Sequence, residues 1–328
     1  MTRAKIIGTG SYVPERVLSN LDLEKMVDTS DEWIKSRSGI SERRIAGENQ
    51  STSDLCVEAA KKALEMANMN ADDIDLLMVA TVTPDFRLPS VSCVVQDKLG
   101  LINAASMDIV AACAGFIHSL SIAQAYIANS MYHRIMIIGA EELSSITNYK
   151  DRNTCVLFGD GAGAAIVTAS DDDSGILSTY LKSDGRLSKL LYIPAGGVAQ
   201  PYTHNGSGPT HDDYFLSMNG NEIYKHAVRS MGNAAERVIK SAGLESSDID
   251  WLVPHQANIR IIQATAKRIG LPMEKVFINL EKYGNTSAAS IPLALDEAVR
   301  SGVIKKNDNI VSAAFGGGLT WGAVLFRW

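Results

Sequence analysis

The sequence predicts an α/β protein made of two similar halves stacked around buried central helices. Three observations carry that prediction. Helical patterns of ten to fifteen residues alternate with short β-rich runs along the whole chain. Ala59-Ala60, Ala67, Asp73-Ile74-Asp75 and Leu77 recur 175 residues later as Ala234-Ala235, Ala242, Asp248-Ile249-Asp250 and Leu252. The same offset lays residues 134–139 onto 309–314, and several matches in one register indicate duplication rather than chance. Finally, residues 114–128 are apolar nearly all round (Phe116, Ile117, Leu120, Ile122, Ala123, Ala125, Ile127), the composition of a helix held between layers.

The repeated unit is an amphipathic helix, a short polar turn and an apolar strand, at 76–80 in one copy and 251–254 in the other. Strands at 76–82, 135–138 and 310–314 are apolar on both faces, which fits sheets covered by helices on each side. At about 150 residues per domain, a 328-residue chain holds two domains or one large duplicated one. The polar turn at 170–175 marks the join, giving halves of 1–172 and 173–328. Residues 195–220, rich in Gly, Pro and His, read as a long functional loop.

Composition excludes several classes. A net charge of −6 argues against a general nucleic-acid binder. Residues 1–10 lack the long apolar run of a secretory signal. Residues 109–133 carry no Asp, Glu, Lys or Arg, but Gln124, Asn129 and several Ser and His interrupt them, so a buried helix is expected rather than a membrane span. Cys56, Cys93, Cys113 and Cys155 show no CxxC spacing, which speaks against structural zinc and for reduced thiols in a cytoplasmic protein. Gly8-Thr-Gly10 lacks a third glycine and Gly159-Asp-Gly-Ala-Gly163 leads into a strand, so both read as turns, not nucleotide loops.

Three side chains far apart in sequence stand out for chemistry, each among small neighbours. Cys113 follows a strand and opens a helix, where free amides and the dipole are expected to lower a thiol pKa; its plain reading is a small buried hydrophobe. His255 ends an apolar strand, where α/β folds place ligand-contacting groups, although a histidine after proline is also commonly structural. Asn285, between Gly284 and Thr286-Ser287, reads equally as a helix cap. The glycines of Phe315-Gly-Gly-Gly-Leu-Thr-Trp-Gly322 free backbone amides to approach a substrate, or simply form a turn. His118, His133, His204, His211 and His226 are given no role.

Taken together, these segments resemble β-ketoacyl-acyl-carrier-protein synthase III, an initiating condensing enzyme of the thiolase superfamily. The resemblance runs nearly end to end, through Thr29-Ser-Asp-Glu-Trp-Ile34 with Arg37, Ala112-Cys-Ala-Gly-Phe116, Phe158-Gly-Asp-Gly-Ala-Gly163, His255-Gln-Ala-Asn258, Gly284-Asn-Thr-Ser-Ala-Ala289 and the glycine-rich ending. It implies a thiolase-like, duplicated five-layer αβαβα fold and a homodimer. It also implies a decarboxylative condensation of an acyl-CoA primer with malonyl-acyl-carrier-protein, with no metal or cofactor. Cys113, His255 and Asn285 would be catalytic, with the backbone amides of Cys113 and Gly317 as oxyanion hole. Trp33, Arg37, Arg152 and Asn258 would bind CoA, and Arg260, Lys267 and Arg268 would dock the acidic carrier protein. Leu88 stands where straight-chain members often carry Phe reaching into the partner's acyl pocket, so longer or branched primers are expected to enter. The competing readings are a specialised-metabolism condensing enzyme or acyltransferase of the same fold, a Cys-His-Asn hydrolase of the papain kind, whose local signature is missing, and a non-catalytic carrier-protein scaffold.

Overall fold

Strand order reveals the duplication. In the computed structural model, which describes residues 2–202 and 208–328, one sheet runs Ala4–Tyr12, Gly161–Ala169, Arg134–Glu141, Leu76–Ala80, Ala105–Ile109. The other runs Gly175–Ser183, Thr320–Arg327, Asn309–Gly316, Trp251–Leu252. Pairing along both is antiparallel, antiparallel, then parallel. The counterpart of the fifth strand shrinks to a single parallel bridge between Leu252 and Val276. Strands Arg134–Glu141 and Asn309–Gly316 stand at the offset read from the sequence, and the 170–175 turn lies between the last strand of one sheet and the first of the other.

Five layers follow. Helices Thr52–Ala67 and Val91–Leu99 cover the outer face of the first sheet, Gly220–Ser241 and Ile259–Arg268 that of the second, and Gly115–Ala128 and Ser290–Arg300 fill the space between. Alternate residues of one strand serve two cores: Leu76 and Met78 face the central helices, Leu77 and Val79 the outer layer. That is why these strands lack the polar face of a half-solvated sheet.

Helix Thr52–Ala67 starts at a Ser51–Asp54 capping box and stops at Asn68, which takes the left-handed conformation with φ 51°. Its small face of Ala59, Ala60 and Ala63 sits against strand Ala4–Tyr12. The turn expected at Gly8-Thr-Gly10 is corrected here: both glycines lie mid-strand. A Cβ at Gly10 would fall 2.2 Å from the Ala59 carbonyl oxygen, so the glycines serve close helix–strand packing. The turn expected at Gly159-Asp-Gly-Ala-Gly163 is corrected as well: Gly159 and Asp160 link the Phe158 bridge to strand Gly161–Ala169, and the turn lies earlier, at Val156 and Leu157.

Gly139 makes a comparable contact across the halves. A Cβ there would lie 2.2 Å from the carbonyl oxygen of Ala288, and backbone cannot swing aside as a side-chain tip can. Gly139→Ala is expected to lower stability by about 3 kcal/mol, read as a fall in the urea midpoint at unchanged slope.

Candidate active site

The duplicated fold contains one local device twice. Ala112 has φ 45° and Ser287 φ 49°; each opens a 3-10 turn, Ala112–Ala114 and Ser287–Ala289, that runs into a central helix. A non-glycine residue in the left-handed region costs roughly 1–2 kcal/mol, so close packing must hold both corners. Gly316 supplies that room at the first: a Cβ on it would come within 2.7 Å of the Cys113 amide nitrogen.

Cys113 therefore sits at a helix N-terminus, buried with 8% of its surface exposed. Burial pushes its thiol up to about 11, while a hydrogen bond with the Ser287 side chain pulls the other way. The expected lowering of the thiol pKa is thus corrected, because desolvation of a thiolate outweighs the helix end. The resting sulfur carries its proton.

His255 extends the edge of the second sheet, its amide donating to the Ala313 carbonyl at 2.9 Å. Its Nδ1 lies 2.6 Å from Ser290 Oγ, which also accepts the Gln256 amide at 3.3 Å. When the Ser290 hydroxyl donates to Nδ1, the neutral ring carries its proton on Nε2 and can donate from there. Burial lowers the imidazole to about 4, so it is neutral at pH 7. Below 6.5 the unfolded chain takes up a proton that the native state refuses until about pH 4. About 3 kcal/mol of stability is lost across that window. His255→Gln is expected to shrink the difference between urea midpoints at pH 7 and pH 4.5; an undiminished difference would assign the acid sensitivity elsewhere.

Asn285 is held by a parallel bridge to Phe158: its amide donates to Leu157 O at 2.8 Å and its carbonyl accepts from Gly159 at 3.1 Å. Arg43, fully buried, fixes the preceding segment by donating to Val156 O at 2.6 Å, as well as to Leu18 O and Asn20 Oδ1. Asn285 Oδ1 accepts the Ser287 amide at 2.9 Å, which leaves Nδ2 as its donor end. Oδ1 thus holds the turn into Ser287–Ala289 from one residue before its N-cap, Thr286, and Asn285 also lines the cavity.

All three side chains line a single cavity of about 700 Å³, together with Trp33, Arg37 and Asn258. Cys113 also lines a second cavity of about 580 Å³, with Gly317, His118, Ser287 and Thr320. The sulfur stands where the two meet. His118, given no role from sequence, bonds the Ala114 carbonyl at 2.9 Å and Thr320 Oγ1 at 3.2 Å. Its signal was a histidine in the first turn of the largely apolar helix that follows Cys113. Ser290 and Ser287, which orient the imidazole and the amide, were missed because their roles exist only once the halves pack.

The outer residues are less uniform. The Arg152 guanidinium lies 5.2 Å from the Trp33 ring centroid and donates to Asp28 O at 2.8 Å, but does not line the cavity. Asn258 caps helix Ile259–Arg268 through Oδ1 and donates Nδ2 to Arg37 O at 2.9 Å. On that helix Arg260, Lys267 and Arg268 are all exposed; Arg260 donates to Ser36 O at 2.8 Å and Arg268 pairs with Glu236 at 2.9 Å. Leu88 is 87% exposed and lines neither cavity of this single chain. Of the 195–220 loop, Leu216 reaches the second cavity and Ser217–Met218 the first, while His204 lies outside the described residues. Among the described residues no cluster of His, Cys, Asp or Glu could hold a metal ion, and no helix is long and apolar enough to cross a membrane.

Comparison with known proteins agrees over the whole chain. Residues 107–185 match the family described as 3-oxoacyl-[acyl-carrier-protein] synthase III, and residues 239–328 match its C-terminal counterpart. The β-ketoacyl-[acyl-carrier-protein] synthase III of Caldanaerobacter subterraneus subsp. tengcongensis is 55% identical, covering 99% of this chain and 98% of its own. That of Clostridioides difficile is 51% identical over 100% and 99%. The crystal structure of 3-oxoacyl-[acyl-carrier-protein] synthase III from Aquifex aeolicus VF5 superposes with a TM-score of 0.91 at 48% identity, covering 99% of this chain and 100% of that one. With duplication, layer order and full-length identity all in agreement, the chain belongs to the β-ketoacyl-[acyl-carrier-protein] synthase III family.

Proposed function

We propose that this protein condenses an acyl-CoA primer with malonyl-acyl-carrier-protein, with loss of carbon dioxide, to start fatty-acid synthesis. The observation that carries this is one cavity lined jointly by Cys113, His255 and Asn285, with the thiol at its junction with a second, largely apolar cavity. Cys113 attacks the primer thioester and CoA leaves; the amides of Cys113 and Gly317 receive the oxyanion. Malonyl-acyl-carrier-protein then occupies the vacated tunnel. His255 Nε2–H and Asn285 Nδ2–H donate to its thioester oxygen as carbon dioxide departs, and the carbanion attacks the acyl-cysteine. These donors absorb the developing charge, so the step calls on no metal or cofactor. Trp33, Arg37, Arg152 and Asn258 receive CoA, with Arg152 moving off Trp33 to admit the adenine. Arg260 and Lys267 meet the acidic carrier protein, and Arg268 joins them once released from Glu236.

The same reading gives two structural halves, 1–172 and 173–328, and a homodimer. Support for the dimer comes from strand Ala105–Ile109, an outer edge open to pairing, beside exposed Phe86, Leu88 and Val110. Leu88 then points to a partner's acyl cavity. Four free cysteines fit a reducing, cytoplasmic setting. Intact-protein mass spectrometry after exposure to mixed acyl-CoAs tests the reading. One acyl group should be added on Cys113 and discharged by malonyl-acyl-carrier-protein as a β-ketoacyl product; no adduct with any primer would overturn it.

A further inference from the structure

The condensation leaves one buried group without a task. Glu141 ends strand Arg134–Glu141 fully enclosed, and among the described residues no cation pairs with it. Its Oε2 accepts from Thr81 Oγ1 at 3.2 Å, the Val82 amide at 3.0 Å and Thr83 Oγ1 at 2.8 Å. Oε1 has a different partner, the Ser287 hydroxyl at 2.9 Å. Ser287 lines the second cavity beside Cys113, and its side chain counts among the groups that lower the thiol against the pull of burial. A serine has one proton to give, and here it goes to the carboxylate. While that proton stays with the carboxylate, Ser287 Oγ offers a neighbouring thiol only its lone pairs; once the proton has shifted, Ser287 can donate to the thiolate. The groups thus stand in the order Cys113 thiol, Ser287 hydroxyl, Glu141 Oε1, with the second link a hydrogen bond of 2.9 Å.

The duplication shows that the fold does not require this pair. The offset that relates the two corners carries Ser287 onto Ala112 and Glu141 onto Gly316, and there the same turn forms with no polar side chain. The other titratable groups whose fields reach Glu141 are the buried thiols of Cys113 and of Cys56 on helix Thr52–Ala67; its chain neighbour Glu142 faces Asp160, Asp85 and Asp54. Among the described residues no positive charge pairs with Glu141; burial raises its carboxyl while its four hydrogen bonds lower it.

We propose that Ser287 and, through it, Glu141 take up the Cys113 thiol proton when the acyl-enzyme forms and return it when the condensed product leaves. The inference rests on Cys113 being the acylated nucleophile. In acylation the S–H bond breaks and sulfur bonds the primer carbonyl carbon. The thiol proton passes to Ser287 Oγ as the serine proton passes to Glu141 Oε1. CoA departs with its electron pair and takes a proton from water. In condensation the malonyl-derived carbanion bonds the acyl carbon, Cys113 sulfur leaves with its pair, Ser287 reprotonates it and Glu141 restores Ser287. One proton from water is consumed per turnover, which balances the carboxylate lost as carbon dioxide. Ser287 lines the cavity beside the reacting sulfur; Glu141 is a positioning residue for the proton, acting only through Ser287.

The test measures two rates from pH 6 to 10 on the full-length enzyme, Ser287→Ala and Glu141→Gln: the first-turnover release of CoA from acetyl-CoA, and alkylation of Cys113 by iodoacetamide. Both variants should acylate roughly 10- to 100-fold more slowly at pH 7 and recover as pH rises, because hydroxide replaces the relay. Rates within twofold of the parent, or an equal loss at every pH, would overturn the relay. Should Glu141→Gln fail to fold, Ser287→Ala decides, since it leaves the three Oε2 bonds in place. Should the parent itself release no CoA, the proposed function fails, and the alkylation profiles still judge the relay.

Discussion

Cys113→Ala is expected to form no acyl adduct and to lose condensation by roughly 10⁴-fold or more, since no other group at the cavity junction can carry the acyl chain. Structure should survive. Ala112 and Ala114 already flank the site, and exchanging a buried thiol for a methyl removes one atom from a place that adjoins open cavity. The same variant should still decarboxylate malonyl-acyl-carrier-protein, because His255 and Asn285 are anchored by Ser290 and Ser287 independently of the sulfur. Carbon dioxide release from labelled malonyl-acyl-carrier-protein, followed beside product formation, separates the two half-reactions. Condensation at the parent rate would remove Cys113 from the chemistry, and loss of both activities would join functions that the geometry keeps apart.

Asn285 provides the second large effect. Asn285→Ala removes one of two donors offered to the enolate oxygen, and deletion of such a donor costs about 10²- to 10³-fold in rate, or about 3–4 kcal/mol. The loss should appear in decarboxylation and condensation while acylation by acyl-CoA stays within a few fold. Asn285→Asp is expected to be at least as damaging despite its closer shape. A carboxylate satisfies the Ser287 amide as Oδ1 does now, but turns negative charge rather than an N–H toward the enolate. If aspartate restored activity, hydrogen-bond donation from this position would be refuted.

Much of this architecture was legible beforehand, for identifiable reasons. The 175-residue offset survives in sequence because both copies must bury a strand on two faces and cap the same polar turn, as in the Asn70–Asp73 and Glu245–Asp248 boxes. Cys113, His255 and Asn285 stood out because small residues crowd around them. Three things were hidden. The mid-strand placement of Gly8 and Gly10 depends on how near helix Thr52–Ala67 comes. The thiol pKa depends on burial, which a local strand-to-helix pattern does not report. The Glu141–Ser287 contact links residues 146 apart in sequence, and only packing of the two halves brings them together.

The junction of the two cavities has a kinetic consequence. In the proposed function, CoA and the carrier protein would both deliver their pantetheine arms through the cavity lined by Trp33, Arg37 and Asn258, while the primer's hydrocarbon would lodge in the cavity beyond Cys113. Two such arms cannot share that passage. Turnover must therefore alternate between a free and an acylated enzyme, giving parallel lines in double-reciprocal plots. Each thioester in excess should obstruct the form of the enzyme intended for the other.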